Sequence, residues 1–239
     1  MTLLSTQGLT KSFGGLHAVR NVDFNLPEGQ IRALIGPNGA GKSTFVGTVI
    51  GRLRASSGDV LFDGRSISHL PAHRRIGLGI AYTFQITSVF ERLSVHENVA
   101  LGVRRSGGSD TETEPRVRQA LSRTGLLDRA DSHAGDLSYG HQRLLEIAMG
   151  LGQNPRLFIM DEPTQGLSES EIAEFKSLIR SLAGDTTILL IEHNMNVVME
   201  TADIVTVLNF GEVLAEGSPA EIRADRLVQD AYFGTVSGA

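Results

Sequence analysis

The spacing of hydrophobic residues changes along the chain at about residue 85. Before that point, apolar residues recur with a period close to two in short runs such as "HAVRNVDFNL", which predicts strands. Asp63-Gly64 in "GDVLFDGRSI" predicts a two-residue hairpin turn. Beyond it, "SVHENVALGVRRS" and "EPRVRQALSRTGLL" have helical spacing, and Ser94 with Glu97 matches a capping box. The polar stretch "SGGSDTETEP" between them predicts a mobile surface loop.

From Arg156 onward, apolar strand-like runs alternate with helical patterns. The runs "RLFIM", "TTILLIE" and "IVTVL" are separated by "SESEIAEFKSLIRSLA" and "NMNVVMETA", and "VLNFGEVLAEG" predicts a hairpin. Continuous apolar strands separated by helices predict a parallel sheet covered on both faces. The sequence therefore predicts an α/β fold with a β-rich N-terminal part and a helical insert at approximately residues 88–150.

Composition and charge narrow the class of protein. The 239 residues are 41% hydrophobic and 21% charged, which is ordinary for a globular protein. The net charge of -5 does not favour nucleic acid or an anionic membrane surface. The absence of cysteine excludes disulfides and thiolate chemistry and fits a reducing compartment. No signal peptide is evident, and no apolar run approaches the roughly 20 residues that span a bilayer.

A glycine-rich stretch follows the apolar strand "IRALI" and precedes the predicted helix "KSTFVGTVIGRL". It consists of Gly36, Pro37, Asn38, Gly39, Ala40, Gly41, Lys42, Ser43 and Thr44. The pattern is that of a phosphate-binding P-loop, in which glycines let several backbone N–H groups point at one anion. Lys42 can reach the β and γ phosphates, and the Ser43 hydroxyl can bind Mg²⁺. The alternative is a glycine-rich turn with a solvated lysine.

Two acidic residues stand at the carboxyl end of the apolar strand in "RLFIMDEPT". That end of a parallel strand is where open α/β sheets bind ligands. Asp161 is predicted to orient Mg²⁺, and Glu162 to polarise an attacking water as a general base. Two acids that merely cap a helix before a proline are the alternative.

A third motif, "LSYGHQRLLEIAMG", places Ser138 and Gly140 just before an amphipathic helix. The helix has as its apolar positions Leu144, Leu145, Ile147 and Ala148. A serine hydroxyl with free N–H groups at a helix start can bind an anion. A capped helix without a ligand is the alternative, which the position between the P-loop and the acidic pair disfavours.

With these motifs in this order, the whole chain resembles the nucleotide-binding subunit of an ATP-binding-cassette (ABC) transporter. The resemblance implies a P-loop NTPase with a RecA-like core, an N-terminal antiparallel β subdomain and a helical signature subdomain, as one domain over residues 1–239. It implies an ATPase with ATP and Mg²⁺ as cofactors.

The same resemblance assigns further residues. Phe13 would stack on adenine, and His193 would contact the γ-phosphate. Gln85 would contact Mg²⁺ or water and sense the membrane subunit. The signature motif would run over residues 137–142, with Ser138, Gly140 and His141 as its nucleotide contacts.

The chain departs from the family pattern at two positions. His141 replaces the usual glutamine of the signature, and Ser168 stands where the D-loop commonly has aspartate or asparagine. Ser168 can form hydrogen bonds but carries no charge. Glu162 is present, so a hydrolytically competent site is expected.

Within the family, "GIAYTFQ", "LIEHNMNVVMETADIVTVLNFGEVLAEG" and "DAYFG" resemble bacterial importers of branched-chain and other hydrophobic amino acids. Importers of amides, urea and aromatic acids share much of this pattern. The resemblance implies a bare cassette at the cytoplasmic face of the inner membrane, docked on integral membrane permeases and served indirectly by a periplasmic binding protein. The chain would pair with itself or with a paralogous cassette. Residues 87–93, "TSVFERL", are candidate lining of the docking groove, with ordinary core packing as the alternative for Val89 and Phe90.

Two other classes of protein stay open. An ABC-type ATPase that acts on DNA or ribosomes usually carries a long coiled-coil insert or two cassettes, and neither is evident. A P-loop kinase or switch GTPase is disfavoured by the signature helix, by the strand before His193 and by the lack of a guanine-reading N-K-x-D segment.

Overall fold

Ten strands, nine α-helices and two short 3₁₀ turns are found in a computed structural model that describes residues 1–83, 88–107 and 109–233. The strands are β1 (Thr2–Phe13), β2 (Leu16–Pro27), β3 (Ile31–Ile35), β4 (Ser57–Phe62), β5 (Arg65–Ser66), β6 (Ile80–Thr83), β7 (Leu157–Asp161), β8 (Thr187–Ile191), β9 (Ile204–Asn209) and β10 (Glu212–Gly217). The helices are α1 (Lys42–Val49), α2 (Ala72–Ile76), α3 (Val95–Arg105), α4 (Asp110–Arg123), α5 (Tyr139–Gly152), α6 (Glu169–Leu182), α7 (Met195–Thr201), α8 (Pro219–Ala224) and α9 (Arg226–Phe233).

The chain divides into two compact units. The first contains residues 1–75 together with the chain from Thr187 onward, and the second contains residues 76–186. None of the helices in the described ranges combines the length and the apolar character that crossing a membrane requires.

In the first unit, the N-terminal strands form an antiparallel sheet in the order β2-β1-β4-β5. The turn between β4 and β5 is the predicted one, because Asp63 and Gly64 both have positive φ, of 52° and 72°. A two-residue turn with both central residues left-handed matches the twist of the paired strands. The predicted hairpin is therefore confirmed.

The first unit also contains a mixed sheet in the order β10-β9-β3-β8, in which β3 runs parallel to both β8 and β9. All five residues of β3 are buried, as a strand inside a parallel sheet requires. Beneath it lies a hydrophobic cluster that includes Ile35, Val207, Ile222 and Val228. The C-terminal helices α8 and α9 thus help to bury the strand that leads into the glycine-rich stretch.

The second unit combines the parallel pair β6 and β7 with the helices α3 to α6. Helices α3, α4 and α5 pack on one another. Helix α3 begins at the predicted capping box, in which the Ser94 hydroxyl accepts the N–H of Glu97 and the Glu97 carboxylate accepts that of Ser94. The four apolar positions predicted for α5 are all buried.

One local prediction was wrong. Most of the stretch expected to be a mobile loop is helical, because α4 begins at Asp110. Its start is marked by Ser109, whose N–H is accepted by the carboxylate of Glu112 three residues later, the spacing of a capping box. The helix continues through Pro115. The single domain with an insert at residues 88–150 stays a prediction, and α3 to α5 lie between residues 95 and 152.

Candidate functional site

The glycine-rich stretch lies between β3 and α1 in the first unit, as predicted. Lys42 opens α1 and folds back over the loop, where its Nζ donates to the carbonyl of Gly36 at 2.6 Å and to that of Pro37 at 3.1 Å. The ammonium therefore lies over the loop that is predicted to hold phosphate.

Gly41, the residue before α1, can only be glycine. Its φ is 103°, and a β-carbon there would overlap the carbonyl oxygen of Ala18 on β2. Helix α1 has no acidic residue in its first turn and no side chain that caps its N-terminus. Backbone N–H groups at such a helix start favour an anion, so the loop fits a phosphate group.

The C-terminus of α1 is held by an arginine for which the sequence patterns predicted no role. Arg75 is buried and donates to the carbonyls of Thr48 at 2.8 Å, Val49 at 2.5 Å and Leu70 at 2.9 Å. A cation at the C-terminal carbonyls satisfies the last turn and complements the helix dipole. Burial lowers the pKa of Arg75 to about 10, with Asp59 opposing the shift.

His193 follows β8 and is exposed. Beside it the buried carboxylate of Glu192 accepts two backbone N–H groups, that of His193 at 3.0 Å and that of Asn194 at 3.1 Å. Asn194 in turn caps α7 by accepting from the N–H of Asn196 at 3.1 Å. The loop that presents His193 is therefore fixed from both sides, and Glu192 is a further residue of this site that sequence reasoning missed.

Phe13 ends β1 and keeps 47% of its surface exposed, so its ring is available for stacking. The ammonium of Lys11 lies 4.9 Å from the ring centroid, within the range of a cation–π contact. One face of the ring is therefore next to a cation.

In the second unit, Asp161 is the last residue of β7 and is buried. Tyr82 on the neighbouring strand β6 donates its hydroxyl to Asp161 Oδ2 at 2.9 Å. Glu162 follows with a φ of 48°, a left-handed conformation that non-glycine residues seldom adopt and that clusters at functional sites. The strand thus ends in one acid fixed by a phenol and a second acid in strained backbone.

The signature segment begins α5 with Ser138 as its N-cap. The Ser138 hydroxyl accepts the N–H of His141 at 3.3 Å and lies 2.7 Å from His141 Nδ1. The histidine that replaces the usual glutamine therefore contacts the signature serine through both its backbone N–H and its ring.

Ser168, the second departure, is the N-cap of α6. The Glu171 carboxylate accepts from its N–H at 2.8 Å and from its hydroxyl at 2.7 Å. These hydrogen bonds lower the pKa of Glu171, first through the backbone N–H of Ser168 and then through its hydroxyl. A serine at this position stabilises the helix start without a charge.

Two of the predicted residues, Gln85 and Thr87, lie outside the described residues. In the rest of the candidate docking segment, Phe90 exposes 53% of its surface, so ordinary core packing does not apply to its ring. Its backbone is fixed, because Asn98 accepts the N–H of Phe90 at 2.8 Å and donates to its carbonyl at 3.1 Å. The segment therefore presents an aromatic ring on a backbone held by a buried amide.

The predicted residues fall into two groups. The first unit carries Phe13, Gly36, Pro37, Asn38, Gly39, Ala40, Gly41, Lys42, Ser43, Thr44 and His193. The second unit carries Ser138, Gly140, His141, Asp161 and Glu162. Within the described ranges, no three His, Cys, Asp or Glu side chains are grouped so as to hold a metal ion. The Ser43 hydroxyl in the first unit and the Asp161 carboxylate in the second are each hard oxygen ligands of the type that Mg²⁺ binds.

Comparison with known proteins supports the interpretation of these motifs. The profile described as ABC transporter matches residues 19–165, and a second profile, described as branched-chain amino acid ATP-binding cassette transporter, matches residues 212–237. The chain is similar to the high-affinity branched-chain amino acid transport ATP-binding protein LivG of Escherichia coli (strain K12). The two are 38% identical over 97% of this chain and 98% of LivG.

Solved structures agree with these matches. The ADP conformation of MJ1267, an ATP-binding cassette of an ABC transporter, superposes with a TM-score of 0.88 at 29% identity, over 98% of this chain and 99% of that one. A dimeric bacterial ABC transporter cassette, MJ0796, gives a TM-score of 0.81 at 26% identity, over 91% of this chain and 99% of that one. The P-loop, the acidic pair after β7 and the signature helix occur in a fold that these cassettes share. The chain belongs to the ABC transporter family, as one of its ATP-binding, ATPase subunits.

Proposed function

We propose that this chain hydrolyses ATP to power a membrane importer of branched-chain or related hydrophobic, aromatic or amide-type small molecules. The observation that carries the cargo class is the match of residues 212–237 to the profile of branched-chain amino acid cassettes. This segment includes the whole of α9, whose Val228 packs in the cluster beneath the strand leading into the P-loop. The similarity to LivG over nearly the whole of both chains supports the same class.

The residue roles follow from the chemistry of phosphoryl transfer. Residues 36–44 cradle the phosphates of ATP, Lys42 neutralises the β and γ phosphates, and Phe13 stacks on adenine. His193 donates to the γ-phosphate from a loop whose backbone is fixed by Glu192.

The hydrolytic roles fall to the acids and their neighbours. Ser43, Gln85 and Asp161 are the proposed holders of Mg²⁺, which when bound neutralises charge that develops on the phosphate oxygens. Glu162 accepts a proton from the attacking water as general base. Its negative charge and its place directly after Asp161 support that role.

The partners follow from the same proposal. Two cassettes, either two copies of this chain or this chain with a paralogue, enclose ATP so that Ser138, Gly140 and His141 of one contact the nucleotide held by the other. The dimeric cassette among the structural relatives supports this arrangement. The pair docks on integral membrane permeases at the cytoplasmic face of the inner membrane, with the exposed Phe90 in the docking segment. A periplasmic binding protein delivers cargo to the permeases.

Trapping the closed dimer tests the hydrolytic assignment. Glu162→Gln retains ATP and Mg²⁺ binding but removes the base, so light scattering after size exclusion should show monomers converting to dimers when Mg-ATP is added. Glu169→Gln, which changes an exposed acid in the first turn of α6, is the control and should hydrolyse ATP at the wild-type rate. Wild-type hydrolysis by Glu162→Gln would contradict the role of that residue as base.

Uptake tests the cargo class. The chain is reconstituted in vesicles with candidate permease subunits of the same organism, and entry of labelled leucine and of a labelled charged amino acid is measured with ATP supplied. Leucine uptake that depends on this chain is expected. Uptake of the charged amino acid alone would contradict the proposed cargo.

A further inference from the structure

Arg143 is the largest fully buried side chain in the described part of the chain, and almost every donor of its guanidinium has a named acceptor. Its Nη2 donates to the carbonyls of Asp161 and Glu162, both at 3.0 Å, and its Nε donates to that of Pro163 at 3.3 Å. Its Nη1 lies 2.6 Å from the carboxylate of Glu146 on the next turn of α5, which is also buried. One side chain thus contacts three successive carbonyls, of residues 161–163, at the carboxyl end of β7.

These contacts hold a segment of backbone that has an unusual conformation at Glu162. Glu162, with its φ of 48°, is the middle residue of the three whose carbonyls Arg143 holds. Such a conformation persists only where the surroundings enforce it. Buried carbonyls also require donors, and the planar guanidinium fork can supply several at once.

We propose that Arg143 is a positioning residue for ATP hydrolysis, holding the backbone of Glu162 so that its carboxylate faces the attacking water. This inference rests on the proposed role of Glu162 as general base. Arg143 does not touch the nucleotide or the water. It acts through the backbone of the acid.

Arg143 lies in the same helix as the signature serine, so it also links the signature to Glu162. The same helix starts at Ser138, the signature residue proposed to contact ATP held by the other cassette. Ser138 and Arg143 are separated by little more than one helical turn, so the helix start cannot move without moving the guanidinium. A displacement of the signature would therefore be transmitted through α5 to the backbone of Glu162 in the same chain.

Two variants test the proposal without leaving a buried charge unpaired. Arg143→Lys retains a cation beside Glu146, but a single ammonium cannot reach all three carbonyls. Arg143→Met/Glu146→Leu replaces the buried pair by apolar side chains of similar size, a change that proteins often tolerate.

The matched control is Arg32→Met/Glu216→Leu. Arg32 is also buried, and its Nη1 lies 2.6 Å from Glu216. Its named acceptors are side chains, namely Gln30, Thr206 and Glu216, and not backbone carbonyls. The control therefore removes the ion pair of a buried arginine at the same N–O distance, although with a carboxylate that is 42% exposed, without disturbing the backbone at Glu162.

The measurements are thermal unfolding, ATP affinity by calorimetry, steady-state hydrolysis and dimer formation with Mg-ATP. Both Arg143 variants should bind ATP within about threefold of wild type while kcat falls by about tenfold or more, the signature of a loss confined to the reacting state. They should accumulate the ATP-bound dimer as Glu162→Gln does. The Arg32 control should keep kcat within about threefold of wild type, since any effect on its stability is not specific to hydrolysis.

Several results would overturn the proposal. A folded Arg143→Lys variant with wild-type kcat would do so, and so would an equal loss of ATP affinity and kcat, which indicates general damage. If the double variant does not fold, Arg143→Lys decides alone. If the proposed role of Glu162 as general base is wrong, the result is different, because Glu162→Gln would then hydrolyse ATP like wild type. An inactive Glu162→Gln together with an active Arg143→Lys contradicts only the role of Arg143.

Discussion

Gly140 of the signature and Glu171 of α6 lie so close that a β-carbon on Gly140 would overlap the carboxylate of Glu171. That carboxylate also accepts from the N–H and hydroxyl of Ser168. Within one chain, the signature therefore packs directly on the group that caps α6. A side chain at position 140 would therefore have to displace the Glu171 carboxylate from its place at the start of α6.

Gly140→Ala is expected to displace Glu171 and to weaken the start of α6. Loss of a helix cap of this kind costs about 1 kcal/mol, so the unfolding temperature should fall. In a Glu162→Gln background, closure of the dimer with Mg-ATP should weaken, whereas ATP binding by the monomer should not change. A double-mutant cycle with Glu171→Ala provides the control, because removing the carboxylate also removes the overlap. Equal effects of Gly140→Ala with and without Glu171 would show that the overlap is not the cause.

Tyr82→Phe is expected to raise the Mg²⁺ requirement of the enzyme. The hydroxyl of Tyr82 donates to Asp161 Oδ2 and fixes that carboxylate, the proposed Mg²⁺ ligand. Loss of an orienting partner of a metal ligand typically lowers metal affinity about 10- to 100-fold. Mn²⁺ binding in the presence of ATP, followed by electron paramagnetic resonance, measures the effect without turnover. ATP binding in EDTA is the internal control and should be unchanged, and equal Mn²⁺ affinity for both proteins would contradict the prediction.

Phe13→Ala is expected to weaken the binding of ATP and GTP together. Stacking on a phenyl ring depends on dispersion and ring geometry and discriminates poorly between purines, so wild type should prefer ATP only modestly. Leu16→Ala removes an apolar side chain that is 70% exposed and paired with Phe13 across the hairpin, so it serves as the control. Calorimetry with both nucleotides distinguishes the two variants. A loss of ATP binding with GTP binding intact would indicate specific base recognition in place of stacking.

The hydroxyl of Tyr232 is expected to ionise at a higher pH than that of an ordinary tyrosine. Burial raises the pKa of its hydroxyl to about 12 from 10.0, with the backbone of Gly36 opposing the shift. The hydroxyl is buried beside the backbone of Gly36. Because the folded state favours the neutral phenol, this contribution to stability is complete below pH 10 and is lost as the pH rises to about 12.

Ultraviolet titration of phenolate absorbance checks this expectation. The chain has three tyrosines, so the difference between wild type and Tyr232→Phe isolates one of them. The difference should titrate with a midpoint of about 12. Tyr232→Phe should also be less sensitive to unfolding between pH 10 and pH 12, and a midpoint near 10 would contradict the burial argument.

Much of the candidate site can be predicted from the sequence, because each of its motifs lies within one short stretch of the chain. The P-loop needs a strand, a run of glycines and a helix in succession, and residues 31–49 provide them in that order. The acidic pair is recognisable for the same reason, since four apolar residues before Asp161 predict a buried strand that ends at two carboxylates. The hairpin turn at Asp63-Gly64 and the capping box at Ser94 are equally local.

The residues that hold these motifs in position can be identified only from the tertiary structure. In the pattern of α5, Arg143 and Glu146 look like solvent-facing charges, because charged residues are seldom buried unless they are paired. Only packing of α5 against the end of β7 brings the guanidinium to the carbonyls around Glu162. The bond between Tyr82 and Asp161 likewise depends on the register of β6 against β7, which joins residues 79 positions apart.

The sequence by itself therefore determined most of the order of elements, and its motifs indicated the class of protein through their resemblance to a known family. It also predicted the residues proposed to carry the chemistry, because those residues stand in short stretches that are recognisable locally. The tertiary structure alone decided which residues hold that chemistry in place, such as Arg143 at Glu162 and Glu171 at Gly140. Those relationships join elements distant in the chain, and their physical basis, the need of buried carbonyls and carboxylates for donors, arises only when the elements pack.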